Sequence, residues 1–238
     1  MQETVEGALT RVADSPVRVY CAGRTDAGVH ARQQVIHFDT PVERKPRAWI
    51  LGSNVYLPAQ ISVIWAKGVS EKFHARYSAL ERAYQYLILN RSARPGLLTG
   101  RVAWECRPLD EHRMLAAAQC LKGEHDFSAF RAIECQARNP VRTVTHLEIQ
   151  RRDDLLMIDI RANAFLHHMV RNVAGVLMMI GTGQQPVNWA QAVLDSKDRR
   201  LGGVTAPAGG LYLTGVKYPP EFGIPGADAD LPPGAVFP

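Results

Sequence analysis

Apolar side chains recur at Val5, Ala8, Leu9 and Val12, the spacing of one helix face, so ETVEGALTRVA near the N-terminus is expected to be helical. VRVYCAG then alternates, with Val17, Val19 and Cys21 on one side and Arg18 and Tyr20 on the other, as a half-buried strand does. Beyond a loop, RQQVIHFDT reads as a second strand, PRAWILGSNVYL as a helix closed by Pro58, and ISVIWAKGVS as a further strand. SALERAYQYLILN is a long strand whose alternation sets Arg82, Tyr84 and Tyr86 on one face and Ala83, Gln85 and Leu87 on the other. Downstream the pattern predicts a strand at 101–107, a helix at about 110–122, strands near 142–150 and 155–162, a helix over 165–182, a short helix after Asn188 and a last strand in GLYLTGVKY. Strands and helices without regular βαβ alternation predict an α+β fold with mainly antiparallel sheets flanked by helices. Two lobes are expected, 1–75 and 76–220, with a Pro/Gly-rich tail over 221–238 that reads as mobile.

The segment 165–182 is the most apolar. At about 100° per residue, Phe165, Met169, Val173, Val176, Leu177 and Ile180 form one stripe, and Arg171 falls nearly opposite. On that helix His167 would be the i−4 neighbour of Arg171, on a face that also carries Gly175. A guanidinium there either reaches solvent or meets a carboxylate from elsewhere; pattern alone favours solvent.

The composition, 46% hydrophobic and 21% charged over 238 residues, is that of a globular chain. No run approaches the roughly 18 apolar residues of a membrane span, and the acidic N-terminus lacks a secretory h-region, so a cytosolic protein without a membrane partner is expected. Cys21, Cys106, Cys120 and Cys135 form no C-x-x-C pair, and no His stands at ligand spacing from two of them. The adjacent His167 and His168 cannot share one helix face, which favours capping or hydrogen bonding over metal ligation. Neither metal nor cofactor is expected. Net charge is +5, and six of the 28 basic residues are Lys, the rest Arg. Guanidinium forks suit phosphate oxygens and stack on bases, so RNA or DNA is a candidate partner; a generally Arg-rich proteome would give the same count.

In VYCAGRTDAGVHARQQVIHF, Gly23 and Gly28 bracket Arg24, Thr25, Asp26 and Ala27. Glycine on each side allows close approach of a ligand to the main chain, while an Asp in a turn also commonly accepts backbone N–H groups. Phosphate capture by the loop is the poorest reading, because Asp26 would repel an anion.

AGRTDAGVHA resembles the signature loop of the tRNA pseudouridine synthase A family, and FHARYSA, RAYQY, HDFSAF, CQARNPVRTV, FLHHMVRN and TAPAGGLYL follow in the family's order to about Pro219. The resemblance implies the two-lobed pseudouridine synthase fold with an active-site cleft between the lobes. It also implies isomerisation of uridine to pseudouridine in the tRNA anticodon stem-loop, at nucleotides conventionally numbered 38 to 40, by a homodimer without metal or cofactor. Asp26 corresponds to the family's catalytic aspartate, Tyr84 to its active-site tyrosine and Arg171 to the arginine that pairs with the aspartate. Arg24 corresponds to a loop arginine that helps extrude the base, and Leu211 to an apolar residue near the uracil. Arg82, on the Tyr84 face, is expected on the adjoining phosphate, although a surface role fits it equally. The pairing implied for Arg171 reverses the solvent reading. A non-catalytic RNA-binding protein of the same fold is the alternative.

The chain departs from the family pattern in places. It starts inside the first family helix, with Met1 where Val is usual, so a preceding strand is expected to be missing from the N-terminal lobe. Ala83 and Gln85 stand where basic residues are common, Asn139 where Ser is usual and Ala208 where Pro is usual.

Overall fold

A computed structural model describes residues 1–225. The chain divides into two compact units: Met1–Arg24, Gln34–Ala79 and the segment from Tyr218 onward, and a larger one of Thr25–Gln33 with Leu80–Lys217. The sequence pattern assigned the Asp loop to the first lobe; by packing, Thr25–Gln33 falls with the second unit. Of the expected tail, 226–238 lies outside the described residues.

In the first unit, helix α1 (Gln2–Ala13) and helix α2 (Pro46–Tyr56) enclose an apolar cluster of Leu9, Ala13, Val17, Val19 and Trp49. Pro46 opens α2, where its missing N–H and fixed φ cost nothing, and the helix gives way at Leu57, extended before Pro58 as the residue ahead of a proline prefers. Strands β1 (Tyr20–Cys21) and β3 (Ile36–His37) pair antiparallel, shorter than their alternation predicts. Residues 61–70, expected as a strand, carry no ladder among the described residues. Alternation marks the burial pattern a strand needs, but a strand exists only where a neighbour accepts its N–H groups.

The second unit is built on a seven-stranded mixed sheet. Its members are β2 (His30–Ala31), β4 (Glu81–Asn90), β5 (Ala103–Glu105), β6 (Gly123–Asp126), β7 (Val141–Arg152), β8 (Leu155–Ala162) and β9 (Leu211–Lys217). The order is β2-β9-β4-β8-β7-β6, and β5 pairs in parallel with the end of β4 beyond the reach of β9. All pairs are antiparallel except β2 with β9 and β4 with β5. Helices α3 (Glu111–Ala118), α4 (Met169–Gly181) and α5 (Trp189–Ser196) pack together, with α3 against β7 and α4 against β4. The α+β expectation is met, with more parallel pairing than the pattern announces.

The central strand β4 is buried on both faces from Tyr84 to Leu89, so its period-two pattern does not separate a wet face from a dry one. Helix α4 starts at Met169, four residues later than expected, because His168 adopts a left-handed conformation (φ 61°, ψ 3°) that ends the preceding turn. Asn172, buried in this apolar helix, is held by three side-chain hydrogen bonds. Its amide donates to the Phe130 carbonyl (2.7 Å), and its side-chain oxygen accepts from Thr205 (2.7 Å) and Arg199 (3.1 Å). Among the described residues no helix is long and apolar enough to cross a membrane.

Candidate active site

The loop bearing Asp26 is fixed to the sheet by backbone geometry. A turn closed by Val29 N–H to the Asp26 carbonyl (3.0 Å) leads into β2, which runs parallel to β9; Arg32 and Gln33 donate further to the Leu213 carbonyl (2.9 and 3.3 Å). His30 stacks on Tyr212 with ring centroids 4.7 Å apart, and its Nε2 bonds the Gly100 carbonyl (2.9 Å). Gly28 takes φ 83°, a left-handed value that a side chain rarely tolerates, and a Cβ there would press to 3.3 Å on the Ala208 Cβ. Gly23 does not take a positive φ; the Gln34 side chain clasps its backbone instead, by two hydrogen bonds (2.7 and 3.3 Å).

The Asp26 carboxylate meets three nitrogens, all from the start of α4 or just before it, and those of Arg171 and His167 hydrogen-bond to it. Arg171 Nη1 lies 3.2 Å from Oδ2, His168 Nε2 3.0 Å from Oδ2 and His167 Nε2 3.1 Å from Oδ1. An ionised carboxylate only accepts, so His167 donates through Nε2, while the His168 ring stands beside Oδ2 at contact distance. Arg171 is anchored from behind, its Nε donating to the Ala206 carbonyl (2.8 Å) while Ala206 N–H returns a bond to the Arg171 carbonyl (3.1 Å). Burial first, then the neighbouring His167, hold His168 below the ordinary imidazole range against the opposing pull of Asp26 and Glu134. Asp26, His167 and His168 offer three metal-ligating atoms within 4.8 Å of one another, but the Arg171 charge on the same carboxylate opposes a cation there.

Asp26 and Arg171 therefore come together as the resemblance implied, and the solvent reading of Arg171 falls. Tyr84 is buried on β4 between Ile160 of β8 and Leu213 of β9, beside a bulge at Ala83/Tyr84, with its ring edge-on to Phe165 at 5.1 Å. Phe165 opens the segment that ends in the two histidines. Leu211 is buried at the start of β9 opposite Tyr86. Arg82 Nη1 donates to the Asn163 carbonyl (3.1 Å), a protein contact rather than a free fork. Arg24 is exposed and falls in the first unit. Burial pushes the Tyr86 phenol well above its usual range, against the lowering field of Arg171, and its hydroxyl donates to the Pro207 carbonyl (2.8 Å).

The pattern missed the two histidines as partners of Asp26. Helical spacing was the wrong test: both precede the helix, and the left-handed turn at His168 lets adjacent rings, 4.0 Å apart, reach different oxygens of one carboxylate. Their direct adjacency to an apolar helix that carries an arginine was the available signal.

Residues 117–219 match a family model described as tRNA pseudouridine synthase. Curated relatives agree over most of the chain. A tRNA pseudouridine synthase A of Legionella pneumophila (strain Corby) is 55% identical over 224 residues, 94% of this chain and 86% of the relative. Proteins of the same name from Pseudomonas aeruginosa and Coxiella burnetii are each 56% identical over 225 residues, 94% of this chain and 79% and 86% of theirs.

Proposed function

Since the chain belongs to the tRNA pseudouridine synthase A family, we propose that it isomerises uridine to pseudouridine in tRNA, at positions 38 to 40 of the anticodon stem-loop, with Asp26 as the catalytic group. The observation that carries the reading is the Asp26 carboxylate paired with Arg171 at 3.2 Å, in the loop that resembles the family signature.

The reaction breaks N1–C1′, turns the uracil and forms C5–C1′; C5 then loses a proton and N1 gains one. Atoms and electrons balance within the nucleotide, so no oxidant or reductant enters. A carboxylate serves by attacking the base, by attacking C1′ or by removing a sugar proton, and each route needs it ionised. Arg171 sets a positive charge against that carboxylate at 3.2 Å, from a guanidinium held at its other end by the Ala206 carbonyl. Tyr84 offers a flat ring for the extruded uracil and a hydroxyl near the proton chemistry, Leu211 apolar contact to the base, and Arg24 and Arg82 contacts to the nucleotide and its phosphates. Extruding a base costs a few kcal/mol, least near a loop, which suits an anticodon-arm target. A homodimer in the cytosol, where tRNA is modified, completes the reading.

The test uses tRNA from a strain lacking this gene, treated with a carbodiimide that marks pseudouridine. Marks at 38 to 40 should be absent, return with the wild-type gene and stay absent with Asp26→Asn. Restoration by the Asn variant would favour a non-catalytic RNA-binding role.

A further inference from the structure

Four aromatic rings of the first unit form one row that the reaction chemistry leaves unused. Tyr20 of β1 stacks on His37 of β3, its ladder partner, with centroids 5.1 Å apart and planes 22° apart. His37 meets His74 at 4.5 Å, and His74 meets Tyr77 at 4.4 Å. The histidines are half-buried, while Tyr20 and Tyr77 at the two ends are 42% and 76% exposed. An arginine accompanies each end: the guanidinium carbon of Arg18 lies 5.8 Å from the Tyr20 ring centre, and that of Arg76 lies 5.7 Å from the Tyr77 ring centre. The turn that carries Tyr77 is tightly held, because every backbone N–H from His74 to Ser78 is bonded. His74 donates to Ser78 Oγ (3.0 Å), Ala75 to His37 Nδ1 (3.1 Å), Arg76 and Tyr77 to His74 Nδ1 (3.1 and 3.3 Å), and Ser78 to the His74 carbonyl (2.9 Å). The Ala75 carbonyl in turn accepts from the Tyr218 hydroxyl (2.6 Å), whose ring rests 5.1 Å from that of Phe73.

We propose that this row is an RNA contact surface, on which Tyr20 and Tyr77 stack against unpaired bases of the tRNA while Arg18 and Arg76 meet its phosphates. The inference rests on the functional reading above for the identity of the RNA, and deepens it by naming a contact surface besides the Asp26 site. A single exposed tyrosine needs no ligand to explain it. Two of them, each with a guanidinium over its ring and both built on a hydrogen-bonded frame, make a surface whose ordering cost is met on folding, before anything binds. Every base has a π-face, so stacking on tyrosine gives affinity without reading sequence. A guanidinium over a ring offers a further flat face to a base and keeps its N–H edges for phosphate oxygens. Glu6, the acid in the field of Arg18, is taken up through Oε1 by the Gln2 amide (2.8 Å) and the Val19 N–H (3.0 Å). A protein partner would ask for apolar anchors seated in a pocket; the ends of this row are phenols beside cations, on a chain of net charge +5, which suits a polyanion with flat bases.

Filter binding to a tRNA transcript tests the surface, with pseudouridine formation followed on the same preparations. Tyr77→Ala should weaken Kd about tenfold, the size of one lost base stack, and Tyr77→Phe, which keeps the ring, should stay within about twofold of wild type. Because Tyr77 is 76% exposed, Tyr77→Ala should keep its urea midpoint within about 0.3 M of wild type, which separates lost affinity from lost fold. Arg76→Gln leaves the ring in place and reads the same surface independently: Kd should weaken about threefold, and the slope of log K against log salt should fall by about 0.7. A Kd for Tyr77→Ala within about 1.5-fold of wild type, or a Phe variant that binds as poorly as the Ala variant, would overturn the assignment. Unchanged RNA affinity together with a smaller assembly in sedimentation would overturn it in favour of contact with a second copy of this chain. Wild-type protein that binds the transcript but makes no pseudouridine overturns the functional reading instead and leaves the surface assigned.

Discussion

Gly175 is where α4 meets the segment that anchors Arg171, and Gly175→Ala tests how far the site depends on that approach. A Cβ at 175 would fall deep inside the van der Waals envelope of the Val204 carbonyl oxygen, with the Val204 carbon at 3.1 Å and Ala206 N at 3.5 Å. Restoring an ordinary C···O separation of about 3.3 Å requires the 204–206 backbone to retreat by roughly 1 Å or more. That retreat strains two hydrogen bonds at once, Ala206 N–H to the Arg171 carbonyl (3.1 Å) and Arg171 Nε to the Ala206 carbonyl (2.8 Å). The neutral bond is worth about 1 kcal/mol and the charged one about 1.5–3. Overpacking adds about 1–3 kcal/mol, while Ala regains about 1 kcal/mol of helix propensity. The net destabilisation is at most about 2.5–6 kcal/mol, and for a urea m-value of about 2.5 kcal/mol/M the midpoint falls by roughly 1–2.4 M. Released from Ala206, Arg171 should no longer hold Asp26 in register, and kcat should fall by about 10- to 100-fold. Urea unfolding followed by tryptophan fluorescence, with pseudouridine formation measured on the same preparation, reads both effects. A midpoint within about 0.2 M of wild type and an unchanged kcat would show that the 204–206 segment moves freely and does not support Arg171.

Three further substitutions probe separate links. Arg171→Lys keeps a charge but cannot serve Asp26 and the Ala206 carbonyl together, so kcat should drop about tenfold or more with tRNA affinity little changed, as read by single-turnover kinetics beside filter binding. Tyr84→Phe keeps the ring that packs on Phe165 and should leave stability within about 1 kcal/mol, whereas Tyr84→Ala should cost about 3–5 kcal/mol by denaturant unfolding; a kcat loss confined to the hydroxyl would appear already in the Phe variant. His37 is held below the ordinary imidazole range by burial first and then by His74, and its Nδ1 accepts the Ala75 N–H (3.1 Å). The unfolded chain therefore binds this proton more readily, and the stability of the first unit should be fully present above the ordinary His value of about 6.5 and decline as pH falls below it. His37→Gln should flatten that decline in thermal melts between pH 7 and pH 5; an unaltered slope would assign it to other groups.

Local chemistry determined much of this protein from the sequence alone. Helix α2 was legible because Pro46 and Pro58 bracket it, β7 and β8 because alternation marks a sheet with a buried face, and α4 because its apolar stripe spans several turns. The loop around Asp26 was legible as a pattern of residue types, and Arg171 stood out as a lone charge in an apolar run. Tertiary structure alone decided the rest. Two residues of β2 form a strand only because β9, some 180 positions later, supplies the carbonyls, and 61–70 shows that alternation without such a partner gives none. That His167 and His168 share one carboxylate follows from a left-handed backbone at a single residue, a conformation no periodicity encodes because it is stabilised by what surrounds it. Spacing along a chain reports which side chains one element can align; which distant oxygen they reach is fixed only when the elements pack.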